Sequence, residues 1–328
     1  MKTLFLIFSV LCLGGGAAHI ATQGMSTQRL FHIAQQKGAD WFGLPAPLQD
    51  TGWIRRQKRD IAYGPSPAQK IDLYLPNEGE GPFPTLFFIH GGAFMMGDKA
   101  DGQLNAALGG VKRGYAVVSV NYRLSGEAPF PAAVQDVKAA LRLIRIRAEE
   151  FRLDATRIAA WGGSAGGNLA AMLGTSSGNA EFDDASLGNP GVSTAVKAVI
   201  CWFPALDFLA MDAQFKASGK GRANHSEADS PESRYLGQPI ATVPDKAKAA
   251  DPASYLDPSD PPFFIQHGDA DALVPTEQSI VFAARARAVL GEDKVVFSLL
   301  PGAGHGDPAF ETPQNLEKVF AFLDRHLK

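Results

Sequence analysis

The chain has 328 residues, 45% of them hydrophobic and 20% charged, with a formal net charge of -3. This is the composition of a globular protein with enough apolar surface for a large core, and single α/β domains of this length are common. It excludes a disordered main body, and it offers neither a basic stripe to track nucleic acid nor a polybasic anchor for anionic lipid.

The N-terminus reads separately from the rest. Lys2 precedes the apolar run Leu4 to Leu13, and Gly14, Gly15, Gly16, Ala17 and Ala18 follow. That order predicts a secretory signal peptide over residues 1–18, cut ahead of His19, and hence a secreted or periplasmic protein. The run is too short to span a bilayer as a helix, so no membrane span is expected in the mature chain. Residues 19–59 read as a lead-in segment and residues 60–328 as the main α/β domain. Once the signal is removed only Cys201 remains, so no internal disulfide can form. Its apolar setting, Val199-Ile200-Cys201-Trp202-Phe203, predicts a buried and inert thiol.

Along the body, Asp60 to Tyr63 and Ile71 to Leu75 flank Gly64-Pro65-Ser66-Pro67 and read as an antiparallel edge. Strand-length apolar runs follow at Thr85 to His90, Ala116 to Tyr122, Arg157 to Trp161, Ala198 to Phe203, Pro262 to His267 and Lys294 to Leu300. Runs this continuous suit strands covered on both faces. Between two of them, Pro131 to Phe151 carries Val134, Val137, Leu141 and Ile144 at helical spacing. Strand and helix in alternation predict an α/β fold with a mostly parallel central sheet and helices on both faces. The pattern lapses over residues 208–252, which read as an insertion over the active-site edge of the sheet.

Chemistry enters at Gly162-Gly163-Ser164-Ala165-Gly166-Gly167, between the strand ending at Trp161 and the helix former Asn168-Leu169-Ala170-Ala171-Met172-Leu173. Strand, tight turn and helix around G-x-S-x-G are the context of a nucleophile elbow, with Ser164 as nucleophile. A serine hydroxyl needs a base, and in this arrangement the chain order is serine, acid, histidine. His305, in the loop Pro301-Gly302-Ala303-Gly304-His305-Gly306 after the last strand, fits that order. The loop His267-Gly268-Asp269-Ala270-Asp271-Ala272-Leu273-Val274-Pro275 offers two acids; Asp271 is assigned as the triad member and Asp269 as a turn residue bonding loop amides. His267 precedes both acids and is read as ending the strand and holding the loop. Donors to the tetrahedral oxyanion are expected from the backbone N–H of Ala165 and from Gly91 and Gly92 of His90-Gly91-Gly92-Ala93-Phe94, with His90 structural.

With these pieces the chain from about Asp60 onward resembles the esterase and lipase branch of the α/β-hydrolases that carries an HGG-type oxyanion loop. Within it, Ile71-Asp72-Leu73-Tyr74-Leu75-Pro76, Asn121-Tyr122-Arg123-Leu124, the elbow, and Pro261-Pro262-Phe263-Phe264-Ile265-Gln266-His267-Gly268 are similar to the bifunctional feruloyl and acetylxylan esterase group. Hormone-sensitive-lipase-like esterases come second; they usually carry an acidic residue where this chain has Gly163, and Ala93 stands where many members have a third glycine. The resemblance implies ester hydrolysis through an acyl-enzyme on Ser164, without metal or organic cofactor. It also implies short acyl or feruloyl esters, free or linked to polysaccharide, as substrates. Phe94, Met95, Met96, Phe203 and Phe208 are open between lining an acyl pocket and packing the core. Amidase or formamidase action on small substrates, and a binding protein that keeps the fold without the activity, are the alternatives.

Overall fold

The computed structural model describes residues 48–328, all within the compact unit Pro45–Lys328. The expected signal segment and most of the 19–59 lead-in lie outside the described residues. Eight strands form one sheet: β1 (Arg56–Ala62), β2 (Lys70–Leu75), β3 (Phe83–Ile89), β4 (Ala116–Val120), β5 (Leu153–Gly163), β6 (Ala198–Trp202), β7 (Phe263–Gly268) and β8 (Val295–Leu300). Their order is β1-β2-β4-β3-β5-β6-β7-β8. β1 pairs antiparallel with β2, as the lead-in pattern predicts; β2 also pairs antiparallel with β4, and every later pairing is parallel.

The continuous apolar runs divide by alternate residues between two cores. Phe87, Ile89, Val118, Val199 and Cys201 enter one; Leu86, Phe88, Val117, Ile200 and Trp202 enter the other. Successive side chains of a strand point to opposite faces, so a sheet covered on both sides needs apolar residues at every position. The described helices are α1 (Asn105–Leu108), α2 (Ala132–Ile146), α3 (Ala148–Phe151), α4 (Ala165–Thr175), α5 (Met211–Ser218), α6 (Pro231–Leu236), α7 (Pro244–Ala249), α8 (Glu277–Leu290) and α9 (Pro313–Leu327). Residues of α2, α4 and α8 fill the first core, and those of α1 and α9 fill the second. This is the α/β-hydrolase architecture expected from the sequence.

Two expectations are refined. The helical pattern over Pro131 to Phe151 breaks at Arg147 (φ −95°, ψ 19°), so α2 ends and α3 turns aside to bury Phe151. The 208–252 stretch, for all its polar composition, packs into the body: Phe208, Met211, Phe215, Tyr235, Leu236, Ile240 and Ala247 are all buried. Because β3 and β5 to β8 run parallel, their C-terminal ends share one edge, which is where such sheets carry their sites.

Candidate active site

Ser164 follows β5 directly and caps α4, with φ 56° and ψ −123°. A non-glycine residue at positive φ is strained by roughly 1–3 kcal/mol and persists only where neighbours hold it. Here its N–H donates to the Trp202 carbonyl at 2.9 Å, and its own carbonyl accepts from Asn168 N–H at 3.1 Å. The flanking glycines are steric necessities. A Cβ on Gly166 would lie 2.1 Å from the Ile89 carbonyl oxygen, and one on Gly162 would lie 2.1 Å from the Gly166 carbonyl oxygen.

The three residues assigned from chain order meet at the shared edge. His305 Nε2 is 2.9 Å from Ser164 Oγ, and His305 Nδ1 is 2.7 Å from Asp271 Oδ2. A carboxylate only accepts, so Nδ1–H donates to Asp271 and Nε2 is left to accept the serine proton. Asp271 is buried. Burial alone would push its carboxyl up, yet electrostatic attraction to His305 and the hydrogen bonds from His267 and His305 outweigh that and hold it well below the usual carboxylate range. Its other oxygen, Oδ1, accepts the N–H groups of Leu273 (2.8 Å) and Val274 (2.9 Å). Asp269 lies on the same loop but faces elsewhere: Oδ1 accepts the N–H of Gly302 at 2.7 Å, tying the acid loop to the histidine loop.

The oxyanion loop departs from expectation at one donor. Gly91 N–H donates to Gln103 Oε1 at 2.9 Å, and Gln103 is itself held by Asp101. An amide already bonded to a side chain is not free to receive an oxyanion, so Gly91 is withdrawn from the donor set; nothing in the sequence marks Gln103 as its partner. Gly92 (φ 112°), Ala93 (φ 55°) and Phe94 (φ 59°) form a tight left-handed turn in which the Gly92 carbonyl accepts from Met95 and Met96. Ala93 therefore stands in backbone geometry where glycine is favoured, at a cost its methyl group imposes. His90 is structural: buried, stacked on Tyr122 with ring centroids 4.5 Å apart, its Nδ1 2.7 Å from the Gly91 carbonyl.

The aromatic candidates separate. Phe94 and Phe208 are buried, and Phe94 stacks on Tyr235 of α6 at 3.8 Å between centroids. Met95 and Met96 remain partly exposed. Phe203, at φ 36°, packs edge-on against the His305 ring at 4.7 Å and against Phe310. A side chain at Gly163 would begin 3.1 Å from the Phe203 ring, so the acidic residue usual in the lipase-like branch would require that ring to give way by a few tenths of an ångström. Cys201 is buried with its thiol pushed up by burial, and it is the one free cysteine among the described residues. His225 is locally bonded, between Asp212 and the Leu273 carbonyl. Among the described residues no cluster of His, Cys, Asp and Glu could hold a metal ion, and no helix is long and apolar enough to cross a membrane.

An eight-stranded sheet of this order, with a strained serine after β5 and a histidine and acid after β8 and β7, defines the class as an α/β-hydrolase. More particularly, the chain belongs to the BD-FAE family, whose model matches residues 71–285. Esterase LipC of Mycobacterium tuberculosis is 31% identical over 253 residues, 76% of this chain and 59% of that protein. The chain thus spans somewhat over half the length of the curated relatives it matches. Among solved structures, a truncated carbohydrate esterase from gut microbiota superimposes with a TM-score of 0.73 at 30% identity, over 86% of this chain and 99% of that one. The bifunctional GH43-CE of Bacteroides eggerthii has a TM-score of 0.72 at 34% identity, over 83% of this chain and 35% of that one.

Proposed function

We propose that the protein is a secreted serine carboxylic-ester hydrolase working through Ser164, His305 and Asp271. The observation that carries this reading is the unbroken line of two hydrogen bonds from Ser164 Oγ through His305 to Asp271 Oδ2. Ser164 Oγ attacks the ester carbonyl carbon while its proton passes to His305 Nε2. The backbone N–H groups of Gly92, Ala93 and Ala165 receive the oxygen that becomes negative. When the tetrahedral intermediate collapses, His305 returns the proton to the leaving alcohol, and water then repeats the sequence on the acyl-enzyme. Asp271 holds the imidazole in the tautomer that accepts from serine and stabilises it once protonated.

The substrates we infer are short acyl or feruloyl esters, including those carried on polysaccharide, a reading supported by membership of the BD-FAE family and by the likeness to a carbohydrate esterase. Ser164→Ala is expected to lower turnover on the order of 10⁶-fold, the scale of a lost triad member in a well-studied protease, with an unchanged circular dichroism spectrum. Substantial activity in the folded variant would sink the nucleophile assignment. A panel of short acyl esters, feruloyl esters and acetylated xylan tests the substrate class; hydrolysis of small formamides in preference to all of these would favour the amidase reading. Export rests on the charged start and short apolar run of residues 1–18, and recovery of the chain from an exporting host with Met1 still in place would count against it.

A further inference from the structure

A second histidine grips the proposed acid. His267, within β7, is fully buried between the acid loop and α8. Its Nε2 lies 3.1 Å from Asp271 Oδ2 and 3.1 Å from the Val274 carbonyl oxygen, and its Nδ1 lies 2.7 Å from Ser279 Oγ on α8. Both neighbours of Nε2 can only accept, so that nitrogen carries the proton and donates. In the neutral ring Nδ1 is then bare and takes the Ser279 O–H. Oδ2 of Asp271 is therefore shared by two imidazoles, His305 at 2.7 Å and His267 at 3.1 Å, while Oδ1 is held by two backbone amides.

A histidine satisfying only its own ring could rest on Ser279 and the Val274 carbonyl; the shared oxygen is what that reading leaves over. With Oδ1 fixed to the loop, the second donor on Oδ2 sets how the carboxylate is presented to His305. We propose that His267 is a positioning residue of the ester-hydrolysing site: its Nε2–H holds Asp271 Oδ2 where His305 Nδ1–H meets it, and Ser279 keeps His267 in the tautomer able to do so. The proposal rests on the Ser164–His305–Asp271 reading above.

Four variants of the full chain test it, with Ser164→Ala alongside and a short-chain aryl ester as probe: His267→Gln, His267→Asn, His267→Met and Ser279→Ala. The terminal amide of glutamine reaches the place of Nε2 and can donate to Asp271. Asparagine reaches only the place of Nδ1, and methionine fills space but donates nothing. Small displacements of a catalytic group cost up to about 100-fold, so His267→Asn and His267→Met are expected to lose about 10- to 100-fold in kcat with KM changed less than about twofold. His267→Gln should recover most of the loss, and Ser279→Ala should fall by roughly threefold.

Equal kcat for the Gln and Met variants at equal melting temperature would overturn the proposal, as would losses that track melting temperature across the set. Should His267→Met fail to fold, the Gln and Asn variants, assayed where both are folded, decide on the same criterion. An active Ser164→Ala would instead bring down the underlying triad reading. An inactive Ser164→Ala with His267 variants as active as the parent brings down this proposal alone.

Discussion

The two segments that flank β7 are held by different forces. On its C-terminal side, residues 269–275 form a short loop in which Asp271 Oδ1 binds the amides of Leu273 and Val274, and Asp269 Oδ1 binds that of Gly302. On its N-terminal side, residues 208–252 bury one aromatic after another against the body, with Tyr235 stacked on Phe94 and edge-on to Phe130 and Phe208. The first segment is shaped by polar bonds over a few residues, the second by apolar contacts across the whole chain. A loop of the first kind should be sensitive to single atoms and chemistry, a segment of the second kind to volume and burial.

The largest effect should come from the acid loop. Asp271→Asn puts an amide where His305 needs an acceptor, and the analogous change in a well-studied serine protease costs about 10⁴ in rate, so a loss of that order with little change in melting temperature is expected. Asp269→Asn keeps the oxygen that accepts from Gly302 and should cost about tenfold or less, roughly 1.4 kcal/mol of barrier. Rates and melting curves of both variants check this; a dead Asp269→Asn beside an active Asp271→Asn would reverse the assignment.

In the insertion, Tyr235→Leu removes the ring beneath Phe94 and should cost about 2–4 kcal/mol of stability by denaturant titration. Tyr235→Phe should do the opposite. The Tyr235 hydroxyl is buried with no hydrogen-bond partner among the described residues, so its removal should stabilise by about 1 kcal/mol. A destabilised Phe variant would mean that the hydroxyl, and not the ring, anchors the segment.

The smallest effect is expected at the entrance to β7. Burial pushes the Asp260 carboxyl up to about 6, against a weaker opposing pull from Lys294. The folded state therefore holds the proton more tightly than the unfolded chain, whose value is near 3.8. Stability associated with this group is fully present below about pH 4 and is lost as pH rises towards 6. Asp260→Asn should accordingly stabilise by on the order of 1 kcal/mol at pH 8, with the gain gone at pH 4. Melting temperatures of both proteins across that range give the comparison, and a pH-independent difference would contradict it.

The same contrast explains what was legible in the sequence. Strands buried on both faces advertise themselves as unbroken apolar runs, and the elbow glycines are demanded by backbone contacts of 2.1 Å. Ser164, His305 and Asp271 could be chosen because chain order along a parallel sheet fixes which loop ends reach one edge. The Gly91 amide could not be read correctly, because its partner Gln103 approaches from a segment twelve residues away with no motif to mark it. His267 was visible as a residue ending a strand, but its grip on Asp271 depends on the loop turning back over it. The insertion lacks periodicity because its fit is set by residues far from it in sequence, Phe94 and Phe130, against which Tyr235 packs.

The parallel strands have a second end, and part of it is free of these demands. The turn before β6 carries Gly188 and Gly191 in left-handed geometry with open space around both, and Gly291 before β8 is similarly unencumbered. Residues 188–191 therefore offer a handle on the side opposite the serine: a linker joined at Asn189 or Pro190, leaving the two positive-φ glycines in place, approaches where a Cβ at either glycine would meet no atom within 4 Å. Attached to a solid support in this way, the molecule would present the edge that carries Ser164 outward, away from the surface that holds it.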